Sequence, residues 1–423
     1  MRRNDGPLYS IVICSGRLAF LIACLLASLP GRLWAEATPA QPGVIVLEGN
    51  ELPFLHQHAL SHIQLFAFRS ATLTPVPFQI DVRDRRGRWV IKAGPRPSQD
   101  DQPGRFDPND AIVFLRRDMG KRAPAAAFSA GGWHEVRLGS DETPLGFVYI
   151  RVGVQSAQPT RPGLVRYDPQ QDRVYAEGYS VAFDTPLPSH LAFVDSPGDL
   201  GQNLISHIGV DAEVDFLGGL LNIRRTDKDL HARLYGHTQG PIRVIRRARY
   251  WFPLPFGLRA RGRIDLIFYP DFVEGTALVK LKIPPRFILA DGEVSTYFNF
   301  LDFGQARLLQ ADKPPVGEER PPRWAALQLP TGQTLLLVMR LEGGLQRLAQ
   351  RTYFSNTGPP HSGQPSFGFH FSNIARLAAG RYRLSAFGVL LETTDPEVIQ
   401  STAAFFLSPP SVSVTPVGGA GHR

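Results

Sequence analysis

The chain has 423 residues, with 46 basic against 38 acidic side chains, a formal charge of +8 and only two cysteines. Both cysteines, Cys14 and Cys24, fall within the first 37 residues, so a chain processed after that segment has no thiol, which excludes disulfide scaffolds and thiolate catalysis. The charge surplus drops to about +6 without those 37 residues and is almost all arginine, the better bidentate partner for carboxylate, sulfate or phosphate, although a GC-rich genome produces the same bias.

The N-terminus comes first in chain order. Arg2, Arg3 and Arg17 precede the apolar run Leu18–Leu29, and small residues follow at Ala35 and Ala37, the order of a secretory signal peptide over residues 1–37. The expected location is periplasmic or extracellular, and export argues against nucleic acid as a partner. Leu21–Cys24 has the shape of a lipoprotein box, but Arg17 and the apolar residues after Cys24 disfavour lipid anchoring. No later stretch approaches the ~20 apolar residues of a transmembrane helix.

Beyond residue 37 the sequence predicts an all-β protein. Short alternating runs rich in Val, Ile, Phe and Tyr, such as Ile63–Phe68, Ala111–Leu115, Gly146–Val152, Ala277–Ile283 and Gln333–Arg340, are punctuated by 37 Pro and 40 Gly. Two antiparallel β-sandwich domains are expected, over 38–154 and 164–407, joined by the turn-forming linker 155–163. The second is the larger, supersandwich-like one. A short helix is expected over Pro396–Phe406, and residues 408–423, rich in Pro, Ser and Gly, are expected to be disordered. A membrane β-barrel fits poorly, because the strand spacing is irregular.

Three clusters are candidates for chemistry. His56, His58 and His62 would face one side if extended, but ligands ~7 Å apart along an edge strand rarely converge on one metal. The stretches Pro75–Gly87 and Asp107–Phe114 supply Asp81, Asp84, Asp107, Asn109 and Asp110, hard oxygen donors near turns suited to calcium. Turn capping by the same side chains is the competing account. No other cofactor is expected. The paired motifs Pro-x-Phe-Gln-Ile-Asp and Asp-x-Asn-Asp-x-x-Val-Phe resemble those of uncharacterised exported bacterial β-proteins. The C-terminal half of that family is similar to the sandwich of galactose-mutarotase-like and polysaccharide-lyase proteins. The resemblance implies a fold and no catalytic residue.

The third cluster is a predicted hairpin, Ile242–Phe252 with Leu258–Phe268, in which Arg249 faces Arg261 and Arg247 faces Arg263. One face then carries Arg247, Arg249, Trp251, Arg259, Arg261 and Arg263. Like charges opposite one another destabilise a sheet by up to ~1 kcal/mol per pair, so water and salt, acidic strands or an anionic ligand should offset them. Asp211, Glu213 and Asp215 share one face of a strand and are candidates for that offset. Phosphate loops, dinucleotide fingerprints, zinc-protease and nucleophile-elbow motifs are absent. His207, Asp211, Glu213, Asp215, His237 and Tyr250 remain as candidates for acid–base work. The sequence thus points to a non-catalytic binder of an envelope or extracellular anionic glycan. Its alternatives are a lyase or epimerase acting on uronate sugars, and a structural partner in an envelope complex making contact through strand edges.

Overall fold

The computed structural model describes residues 42–128, 131–153, 164–184, 188–194, 201–216, 219–253, 259–282, 284–287, 289–301, 306–311, 323–342, 344–345, 348–355 and 366–417. The expected signal segment, 1–37, and the expected 155–163 linker lie outside these residues.

Five sheets account for the described strands, and every pairing between them is antiparallel. The largest has eight strands, in the order His231–Gln239, Val244–Pro253, Arg259–Phe268, Phe272–Leu281, Gly380–Leu391, Thr334–Glu342, Trp324–Gln328 and Arg307–Ala311. A five-stranded sheet is centred on the long strands Ile205–Phe216 and Leu289–Phe300. A second five-stranded sheet holds Ile63–Arg69, Trp133–Gly139 and Pro144–Val152, and a three-stranded one holds Val44–Glu48, Ala111–Leu115 and Gln79–Asp81. Burial follows the sequence pattern: Ile63, Leu65 and Ala67 alternate inward, whereas the unbroken apolar run Ala111–Leu115 is buried throughout as a central strand. One core cluster includes Ile45, Phe114, Val165, Phe268, Leu336 and Phe406.

The helix Pro396–Leu407 forms where expected. Asp395 caps it by accepting from the Glu397 backbone N–H, Pro396 occupies the first turn, and Phe406 packs its ring against Phe272 and Phe387 of the eight-stranded sheet.

Three expectations are corrected. The segment with His56, His58 and His62 is built of 3-10 turns, Pro53–Leu55 and Leu60–His62, so the histidines share no strand face; the His56 ring bonds the Gly49 carbonyl at 2.8 Å. The expected disordered tail contains a strand, Val412–Pro416, paired with Trp133–Gly139. Its Val412 and Val414 pack on the core, so alternation outweighs the Pro- and Ser-rich composition. The hairpin register differs as well: Pro253 pairs with Arg259, Arg249 with Arg263 and Arg247 with Asp265. This shift places a carboxylate opposite Arg247 where the expected register placed Arg263. Because cross-strand partners move by two positions, every side chain keeps its face.

A candidate polyanion-binding cavity

All six arginine-face residues expected to act together, Arg247, Arg249, Trp251, Arg259, Arg261 and Arg263, line one cavity of about 1300 Å³. Its floor is one face of the eight-stranded sheet. One wall comes from Val44–Glu48 and residues 83–98, and the inner end is closed by Phe405, Phe406, Pro409 and Pro410. Fifteen lining residues are arginine or lysine and three are acidic, so the cavity has a strongly positive field that its own carboxylates cannot balance.

Cross-strand register arranges this face in rows. The innermost row, Ile245, Ile267 and Glu274 followed by Phe387 and Val338, is mostly apolar. The next row is neutralised: Arg247 binds Asp265 through two bonds of 2.6 and 2.9 Å and donates to the Trp89 carbonyl at 2.9 Å. Arg233, Arg249, Arg263, Leu278 and Arg383 form the third row, partnered in that order across five strands. Beyond it stand His231, Trp251 and Arg261, with Lys280 opposite Arg381.

Partners thin out in the same direction. Arg263 and Arg383 have distant carboxylates, Asp265 at 3.6 Å and Glu274 at 3.9 Å, and Arg249 lies over the Tyr235 ring at 4.5 Å. Arg233, Arg259, Arg261, Lys280 and Arg381 make no side-chain hydrogen bond or ion pair among the described residues. Burial, with Arg247 and Arg88 nearby, pulls the Arg263 guanidinium below its ordinary pKa despite Asp265. Trp251 stacks on His231 at 5.2 Å, placing an indole at the edge of the cationic surface.

The wall is fastened to the sheet by a buried cluster that the Pro-x-Phe-Gln-Ile-Asp motif supplies. Arg243, only 2% exposed, donates to Asp81 at 2.7 Å and to the Tyr269 hydroxyl at 2.6 Å, with its guanidinium 4.8 Å from the Trp89 ring centre. Gln79 donates to Asp81 at 2.6 Å and accepts from the backbone N–H groups of Ile242 and Arg243. Asp84 accepts from Arg88 and from its own turn backbone, while Arg83 reaches Glu48 at 2.8 Å and covers Trp89. Sequence reasoning missed this wall, although the density of arginine over 83–96 was its signal.

Asp81 and Asp84 are therefore bound to arginine and stand apart from a calcium-type cluster. Asp107 and Asp110 do come together, with Asp100 in place of the expected partners, their ligand oxygens within 4.8 Å of one another. Asn109 turns its amide to Asp101. Asp110 accepts from the backbone N–H groups of Arg83 and Asp107, and burial, with the Asp107 and Asp100 charges, pushes its carboxyl up to about 7.

The acid–base candidates are dispersed. Asp211 binds Arg224 at 2.6 and 3.0 Å, and Asn222 bridges Glu213 and Asp215. These three acids are thus paired within their own hairpin and do not offset the arginine face. His207 lies 3.3 Å from Asp227. Burial pushes the Tyr250 hydroxyl up to about 12 and holds His237, tilted against Tyr167, below the ordinary histidine value.

No protein-family model and no curated protein matches this chain. Among solved structures it is similar to a glycoside hydrolase family 97 enzyme from a Pseudoalteromonas species in complex with acarbose, with 9% identity, 54% of this chain and 36% of that chain covered, and a TM-score of 0.28. It is also similar to an alpha-N-acetylgalactosaminidase from Bifidobacterium bifidum in complex with GalNAc, with 10% identity, 57% and 37% covered, and a TM-score of 0.29. The matched part spans little more than a third of each enzyme, and nothing about the chemistry of this chain follows from it. Among the described residues no helix is long and apolar enough to cross a membrane.

Proposed function

We propose that this is an exported protein that binds an anionic glycan of the cell envelope or surroundings in the arginine-lined cavity without transforming it. One observation carries this: five cationic side chains lining a single cavity have no carboxylate partner among the described residues, beside an indole on which a sugar ring can stack. Guanidinium groups bind carboxylate or sulfate oxygens in pairs, and the bonds are strongest where the cavity excludes water. The residues proposed to hold the ligand are Arg249, Trp251, Arg259, Arg261 and Arg263. Arg247 is already neutralised by Asp265 and orients the floor.

Titration calorimetry of residues 38–423 against neutral and polyanionic glycans, at low and high salt, tests this, with product assayed in the same mixtures. The expected result is saturable binding of the polyanions that weakens with salt, with no product. Product formation would move the protein to the lyase or epimerase class. Silence towards every glycan would leave a protein partner as the occupant.

A further inference from the structure

We infer that the ligand is a linear polyanion with an anionic group on successive monomers, and that it lies across the strands of the eight-stranded sheet, not along them. This rests on the anionic-glycan proposal and adds the axis and reach of the site. Along the strands the cationic surface is closed on its inner side: it meets the neutralised Arg247–Asp265 row, then Ile245, Ile267, Phe387 and the Phe405 and Phe406 rings. A charged chain advancing that way meets paired charge and then apolar wall, where an anion is costly to bury. Across the strands the cationic rows continue over five strands.

The row Arg233, Arg249, Arg263, Leu278 and Arg383 crosses five consecutive strands, and Trp251, Arg261, Lys280 and Arg381 run beside it. Neighbouring strands stand ~4.8 Å apart, so five of them extend ~19 Å, with the second row one pleat or ~7 Å away. The surface begins at an edge, since His231–Gln239 is the first strand of its sheet, and ends where Glu342 faces Arg383.

Galacturonate oligomers of defined length, with neutral glucose oligomers of matching length as the control, test this by calorimetry. Affinity for the acidic series is expected to climb with each residue until the oligomer spans ~19 Å, and then to level off. Arg233→Ala and Arg381→Ala, exposed positions at the two ends, are expected to weaken the longest oligomer by ~10-fold each, the loss of a charge-assisted contact, and the dimer by less. A cooperative thermal transition no lower than that of the parent protein confirms that both variants fold. Affinity that stops rising at the dimer, or an equal loss for dimer and long oligomer, overturns the cross-strand axis while leaving anionic-glycan binding intact. No binding to any acidic oligomer sinks the underlying proposal, and tighter binding to single-stranded DNA than to every acidic oligomer replaces the ligand class.

Discussion

Arg243 and Asp81 show what one pair does in this molecule. Both are almost fully buried and joined at 2.6–2.7 Å, and they tie the 79–98 segment to the sheet. Removing one partner strands a buried charge, so Asp81→Ala should cost about 3–5 kcal/mol in urea unfolding, whereas Asp81→Leu combined with Arg243→Met should recover much of that loss. Asp110 acts through protons. Its folded carboxyl titrates at about 7, above the unfolded value of ~4, so between those limits the native state binds more protons. The contribution is complete below ~4 and is lost as pH rises through 7. The melting temperature should therefore fall between pH 5 and 7.5 by an amount that Asp110→Asn abolishes, although that variant is less stable overall because one backbone donor loses its acceptor.

At the level of elements, the strands and the helix Pro396–Leu407 were legible because periodicity and capping are local. The alternation of Ile63–Arg69 and the Asp395-Pro396 start required no tertiary knowledge. Register was less legible. The hairpin settles with Arg247 opposite Asp265, a choice between charge repulsion and attraction that a turn-based count does not weigh. Glycine also sets the fit of this hairpin: a Cβ at Gly262 would stand 2.2 Å from the Tyr250 ring, since the ring lies across the facing strand where no side chain projects. Gly262→Ala should lower stability by about 1–3 kcal/mol. Gly275→Ala, whose nearest neighbour is the Leu266 side chain at 3.4 Å, should be tolerated, and thermal unfolding of the two variants separates them.

Across the whole molecule, the cationic face is a source of strain. The stacked arginines of adjacent strands repel one another, so raising sodium chloride from ~0.02 to ~0.3 M should raise the melting temperature as the screening length shortens. The same salt should weaken polyanion binding. Arg249→Ala should make the free protein more stable by up to ~1 kcal/mol while lowering its affinity, the usual opposition between a binding site and stability. The arginine face itself was legible in the spacing of residues 247–263. Its cavity was not, because Arg83, Arg88 and Trp89 reach it through contacts between distant parts of the chain, such as Arg243–Asp81 and Arg247 with the Trp89 carbonyl. The calcium expectation failed at Asp81 because a distant arginine, Arg243, claims it, and at Asp84 because Arg88 and the backbone of its own turn do.

The strand Val412–Pro416 has a consequence in time. Ser411 and Gly139, joined at its edge, lie 272 residues apart, so the sheet that contains Trp133–Gly139 cannot be completed until almost all of the described chain has been synthesised. Contacts of such separation are slow to form. The other strands of that sheet pair among residues 63–152 and can form first, so Val412–Pro416 is the piece supplied last, and a chain that lacks it leaves Trp133–Gly139 as a bare sheet edge open to another strand.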